Sequence, residues 1–187
     1  MENYIFDKSQ KGKSLKTGTN YNSDNLDTEV GEIIITDGVG KGRTEKSAFD
    51  SALWQAGIAN YNLLELSSVL PDNSDIVIQR RKIREGFEHG YRMYAVLSHA
   101  IAIKRGESAY AGIGWIQDKN TKGGLFVEHH GKSDDEVKGL IIDSLEDMRG
   151  YRTGNYGNIE YKIAGIRCEE IPACALVAAV FKVEGWE

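Results

Sequence analysis

The chain has 187 residues, 23 basic against 28 acidic side chains, a formal net charge of −5 and a pI near 5.5. That length suits a single domain with a sizeable core, and 41% hydrophobic with 27% charged residues suits a globular protein. The acidic balance argues against nucleic acid as the main partner, because a phosphate-tracking surface needs clustered excess Lys and Arg; no run of about 18 apolar residues supports a membrane span; and the start, MENYIFDKSQKGKS, lacks the basic-then-apolar pattern of a secretory leader, so a cytoplasmic location is expected.

Residues 1–29 read as a mobile arm. From Asp7 to Glu29 the only large apolar groups are Leu15, Tyr21 and Leu26, too few to offset the entropy of ordering. The rest, 30–187, reads as one domain. Glu32 to Thr36 is a β-branched strand, Asp37 to Gly42 a glycine-rich loop, and Glu45 to Ala56 a helix with Thr44 as N-cap and Gly57 just past its end. Asn62 to Val69 reads as a strand stopped by Pro71-Asp72-Asn73. Further strands are expected over Tyr91–Ile103, Tyr110–Ile116 and Gly124–His129. Asp134 to Arg149 is the clearest helix, with a Ser133/Glu136 capping box, a stripe of Val137, Leu140, Ile141, Leu145 and Met148, and Gly150 as its stop. Strands Asn158–Ile166 and Cys174–Val183 close the chain. Two helices among about seven strands predict an α+β fold, a layered αββα sandwich of antiparallel sheets covered by helices.

Several local patterns suggest chemistry. Gly38 to Thr44 joins a strand to a helix, where backbone N–H groups can hold a phosphate. It fits neither the Walker spacing nor the dinucleotide fingerprint, so it reads as a flexible turn or, alternatively, a non-catalytic phosphate- or nucleotide-binding module. Glu128-His129-His130 looks like a ligand cluster, but strand neighbours point to opposite faces, so a shared metal ion is not expected; Glu128 and His130 share a face. Cys168 and Cys174 form no CxxC pair and read as reduced core thiols. Arg80-Arg81-Lys82, with Arg84 nearby, reads as a solvated loop. Ser67-Ser68 is the only Ser-Ser pair, and by composition alone it is a strand end with turn-forming hydroxyls.

The wider segment changes that reading. Phe49-Asp50-Ser51-Ala52-Leu53, then Ala56-Gly57-Ile58-Ala59-Asn60-Tyr61-Asn62-Leu63, then Ser67-Ser68-Val69-Leu70-Pro71 resembles the pyruvoyl-dependent arginine decarboxylases. Gly124-Leu125-Phe126-Val127-Glu128 with Gly131-Lys132 is similar to that family's second signature, and the likeness runs from about residue 30 to 182. Residue 72 is Asp where many members carry a second Pro. The resemblance implies self-cleavage between Ser67 and Ser68 into β and α chains, by Ser68 Oγ attack on the Ser67 carbonyl, β-elimination and hydrolysis. Ser68 would then become a covalent pyruvoyl group, with the Asn62 amide as oxyanion donor.

The same resemblance implies decarboxylation of L-arginine to agmatine through a Schiff base, with no pyridoxal phosphate and no metal. Glu128 would be the general acid, which requires burial that raises its pKa. Asp50 would bind the guanidinium by a charge-assisted pair; by spacing alone it is equally a helix-surface carboxylate. Trimers of αβ units with sites between protomers are implied, with polyamine synthesis as one purpose. A related decarboxylase acting on histidine or lysine is the second expectation.

Overall fold

The computed structural model describes residues 31–81 and 88–186, so the expected arm at 1–29, and Lys82 and Arg84 of the basic cluster, lie outside the described residues. In chain order the elements are β1 (Glu32–Lys41), α1 (Glu45–Ala56), β2 (Asn62–Glu65), β3 (Val69–Leu70), β4 (Asp75–Ile78), β5 (Arg92–Ala102), β6 (Ser108–Gln117), β7 (Gly124–Gly131), α2 (Asp134–Gly150), β8 (Glu160–Arg167) and β9 (Ala173–Glu184). One sheet has the order β2-β5-β9-β1-β4, the other β3-β7-β6-β8. The pairings are antiparallel except at the two edges of the larger sheet, where β2 runs parallel to β5 and β4 parallel to β1.

The layering follows from alternation along the central strands. In β9, Ala175, Val177 and Ala179 face the other sheet, while Cys174, Leu176, Ala178 and Val180 face α1. In β7, Phe126 enters the layer between the sheets, and Leu125 and Val127 face α2. Two sheets thus share one core, and a helix covers each outer face: an αββα sandwich. Both cysteines are buried and free, and desolvation pushes the Cys174 thiol up to about 11.

The expected loop over Asp37–Gly42 is instead the second half of β1. Gly38 pairs with Leu176 and Gly40 with Cys174 across the β1–β9 ladder. The glycines serve close packing: a Cβ on Gly38 would lie 2.1 Å from the Ala52 carbonyl oxygen, and one on Gly40 2.6 Å from that of Ala48. Bare backbone lets α1 lie directly on β1. This weakens the phosphate-binding reading, because Gly38–Lys41 is strand and several of the N–H groups it would use are engaged. Gly42 donates to Pro172 O, Val39 to Gln55 Oε1, and Thr44 and Ser47 bond each other in a capping box.

Other departures are local. The strand expected over Asn62–Val69 breaks after Glu65, and its continuation at Val69 joins the other sheet. β4 was not expected; the short run Asp-Ile-Val-Ile pairs parallel with β1 from Glu32 to Ile35. On α2, Glu136 N–H donates to Ser133 Oγ as expected, but the Glu136 carboxylate accepts from Lys132 N–H instead of Ser133 N–H. Of the expected stripe, Val137, Ile141 and Leu145 are buried and Met148 partly so, while Leu140 is 40% exposed and leaves it. Arg80 reaches Asp37 at 3.8 Å, and the Arg81 guanidinium stacks over Tyr61.

Gly38→Ala should push α1 off the sheet and cost about 1–3 kcal/mol, the usual penalty for overpacking, lowering Tm by several degrees. Urea unfolding of the variant beside the wild type measures the loss.

Candidate functional site

The site lies where the chain crosses from one sheet to the other. Leu66 N–H donates to Ala95 O of β5 at 3.0 Å, the last bond to the larger sheet. Phe126 N–H of β7 donates to Ser68 O at 2.9 Å, the first bond to the smaller one. Leu66 and Leu70 both pack into the core between the sheets and anchor the crossing on either side. Ser67 is exposed and Ser68 half-buried. Neither serine is forced into the left-handed region: among the described residues, the non-glycine residues with positive φ are Asn73, Glu88 and Lys122.

Glu128 joins this crossing from β7. It sits two residues beyond Phe126, hence on the same strand face, and Ser68 Oγ donates to Glu128 Oε2 at 2.7 Å. A hydroxyl bonded to a carboxylate has both a route for its proton and a fixed direction. Glu128 is exposed in the single chain rather than buried as expected. The cause is the shortness of its neighbour on one side: β3 pairs only with Gly124 and Leu125, so β7 is an open edge beyond Phe126.

Beside this pair a cavity of about 770 Å³ opens at the end of the layer between the sheets. Small side chains create it: Ser98, Ala100 and Ala102 on β5 and Ala109 on β6 leave the space unfilled. Glu128 and His130 enter it from β7, and Glu65 and His99 stand on its β2 and β5 side. Desolvation holds His99 below the ordinary histidine range, with Glu65 raising it and His130 lowering it. Sequence reading missed Glu65 and His99. They lie 34 residues apart on neighbouring strands, and only the parallel β2–β5 pairing brings them together.

Glu128 is the one expected site residue that lines this cavity; Ser67 and Ser68 do not, and the remaining candidates also stand outside it. Asn62 begins β2, and its Nδ2 donates to Gly90 O at 2.7 Å, a carbonyl that also accepts from Trp186 Nε1 at 2.8 Å. Asp50 is exposed on α1; the preceding residue, Phe49, packs its ring 4.9 Å from that of His99, but Asp50 is not a wall of the cavity. His129 points the other way from Glu128 and His130. Its Nε2 meets Ser144 Oγ of α2 at 2.8 Å, and its carbonyl accepts from Ser98 Oγ at 2.6 Å. Among the described residues no group of three or more His, Cys, Asp or Glu side chains could hold a metal ion, and no helix is long and apolar enough to cross a membrane.

Residues 32–184 match the family described as "Pyruvoyl-dependent arginine decarboxylase (PvlArgDC)". Among similar proteins, all with that name, the one from Thermoplasma volcanium is 32% identical over 116 residues, 61% of this chain and 63% of the relative. The one from Methanothermobacter thermautotrophicus is 40% identical over 84 residues, 45% of this chain and 52% of the relative. The one from Thermococcus kodakarensis is 30% identical over 143 residues, 75% of this chain and 87% of the relative. The matched stretch thus spans less than two thirds of the first two and most of the third.

The environment of His129 carries a pH consequence. Desolvation lowers its folded-state pKa from the ordinary 6.5, so folding favours the neutral ring. Stability from this source is complete above the unfolded value of about 6.5 and is lost as pH falls toward the lower folded value. Chemical denaturation from pH 7 to 5 should show falling stability. His129→Gln, which can still bond Ser144, should flatten part of that slope and leave the share due to His99.

Proposed function

This chain belongs to the pyruvoyl-dependent arginine decarboxylase family, and on that premise we propose that it cleaves itself between Ser67 and Ser68 and then decarboxylates L-arginine to agmatine. The observation that carries the reading is the 2.7 Å bond from Ser68 Oγ to Glu128. It couples the family's nucleophile to a base across 60 residues of sequence.

In the cleavage, Ser68 Oγ attacks the Ser67 carbonyl carbon and passes its proton to Glu128, turning the amide into an ester. Removal of the Ser68 Cα proton then expels Ser67 as a carboxylate, and water replaces the nitrogen, releasing ammonia. The surroundings of residue 68 fit a keto group made in place: its carbonyl is fixed by Phe126 N–H, and its side chain meets Glu128, which lines the cavity. That group supplies an electron-accepting carbonyl for the substrate amine, so that carbon dioxide can leave without pyridoxal phosphate.

Glu128 has a second task. Once the hydroxyl is gone, its carboxyl is released beside the reacting carbon and can deliver the proton that replaces carbon dioxide. Asp50 would bind the guanidinium as a charge-assisted pair. Because it does not line the cavity within one chain, this role calls for α1 of a neighbouring copy. A trimer with its sites between protomers would meet that need, and would also cover the exposed face of Glu128.

Mass spectrometry of the denatured protein tests the cleavage. The wild type should split after Ser67, with the longer piece lighter by one ammonia than an ordinary serine terminus, and Ser68→Ala should stay whole. An intact wild type that still releases carbon dioxide from arginine would overturn the reading. Glu128→Gln should slow both cleavage and turnover, each by about 10²-fold or more if general acid–base transfer is lost. Asp50→Asn should cleave normally but raise KM for arginine roughly 10- to 100-fold, as expected for losing a hydrogen bond between charged groups. A panel of arginine, lysine and histidine then reads the substrate choice directly.

A further inference from the structure

The carbonyl that must take up negative charge during cleavage belongs to Ser67, and its donor is close at hand. Val69 N–H donates to Ser67 O at 2.8 Å, closing a three-residue turn with Ser68 at its centre. The Asn62 amide, the side chain expected to serve this oxygen, is instead bonded to Gly90 O. We propose that the Val69 backbone N–H is the oxyanion donor for the acyl shift at Ser67–Ser68. The assignment rests on the self-cleavage reading above.

The balance of the step is simple. A bond forms from Ser68 Oγ to the Ser67 carbonyl carbon, and the carbonyl π pair moves onto the oxygen that Val69 N–H already holds. The hydroxyl proton goes to Glu128. As the C–N bond breaks, the oxygen lone pair re-forms the carbonyl, and Glu128 returns the proton to the Ser68 nitrogen. The products are an ester to Ser68 Oγ and a free amine, with no net change in electrons or protons and no further reactant.

Electrophile, nucleophile and donor therefore come from three consecutive residues, 67, 68 and 69. Little is left to align, because the atoms on either side are pinned. Leu66 N–H is on Ala95 O, Ser68 O takes Phe126 N–H, and Ser68 Oγ is on Glu128. β3 is an edge strand, so the Val69 N–H can turn back onto Ser67. Val69 is 57% exposed, so little packing rests on its side chain, and the group that reaches Ser67 is its backbone N–H. An oxyanion donor fixed before the charge develops avoids reorganisation when the barrier is crossed.

The test uses the full chain with residue 69 supplied as the α-hydroxy acid of valine, which replaces the N–H by an oxygen and keeps the shape. Val69→Pro removes the same donor genetically; Val69→Ala keeps it. Chain cleavage is followed by mass on denatured protein, so turnover by the matured enzyme does not enter. The ester-linked chain, with melting close to that of the wild type, should cleave about 10²- to 10³-fold more slowly, the usual loss for one oxyanion donor. Val69→Ala and Asn62→Ala should stay near the wild-type rate. If Val69→Pro fails to fold, the ester-linked chain decides.

A folded ester-linked chain that cleaves at the wild-type rate overturns the assignment, and so does an Asn62→Ala chain that alone loses the hundredfold. A wild type that never splits after Ser67 overturns the self-cleavage reading beneath it.

Discussion

One peptide bond and its hydrogen-bonded surroundings organise this molecule. The chain leaves the larger sheet at Leu66, where N–H bonds Ala95, and enters the smaller sheet at Ser68, where the carbonyl takes Phe126 N–H. Those two attachments fix the ends of the crossing, and the Leu66 and Leu70 side chains pack into the shared core on both sides. The same short elements, β2 and β3, stop early and leave the edges of β5 and β7 bare beside the cavity that the small side chains of β5 and β6 leave open. Fold and candidate site are thus consequences of a single crossing.

Much of the fold was legible where one periodicity ran long enough. α1 has the expected bounds because Thr44 and Gly57 punctuate it and its small apolar residues repeat at helical spacing. β5 and β9 were readable from length and apolar content. The failures have a common cause, which is tertiary context. Gly38 and Gly40 look like a loop in isolation, yet a helix packed against β1 demands residues without a side chain there. β4 is too short to signal itself and is a strand because β1 offers an edge. Asn62 to Val69 keeps one strand-like composition throughout, and composition does not say that the chain changes sheets after Glu65.

The candidate site divides along the same line. The resemblance pointed to Ser67, Ser68 and Glu128, and a 2.7 Å bond joins Ser68 to Glu128. Neither the serine pair nor the glutamate carried that meaning by spacing. Glu65 and His99 were invisible because their proximity arises from strand pairing between distant segments. Asn62 and Asp50 were named by resemblance, and within one chain neither reaches the Ser68–Glu128 pair. Asn62 is engaged with the Gly90 turn and Asp50 faces outward from α1.

The interleaved order of the larger sheet bears on what scission would leave behind. The shorter product would carry β1, α1 and β2, and the longer one β3 to β9. Yet β1 lies between β9 and β4, and β2 is zipped to β5. The two fragments would be woven through one another, with α1 clasped over strands of its partner. They could not drift apart without dismantling five-stranded pairing and the core beneath it. A severed backbone here would behave as a permanent heterodimer, born at perfect stoichiometry from one translation product.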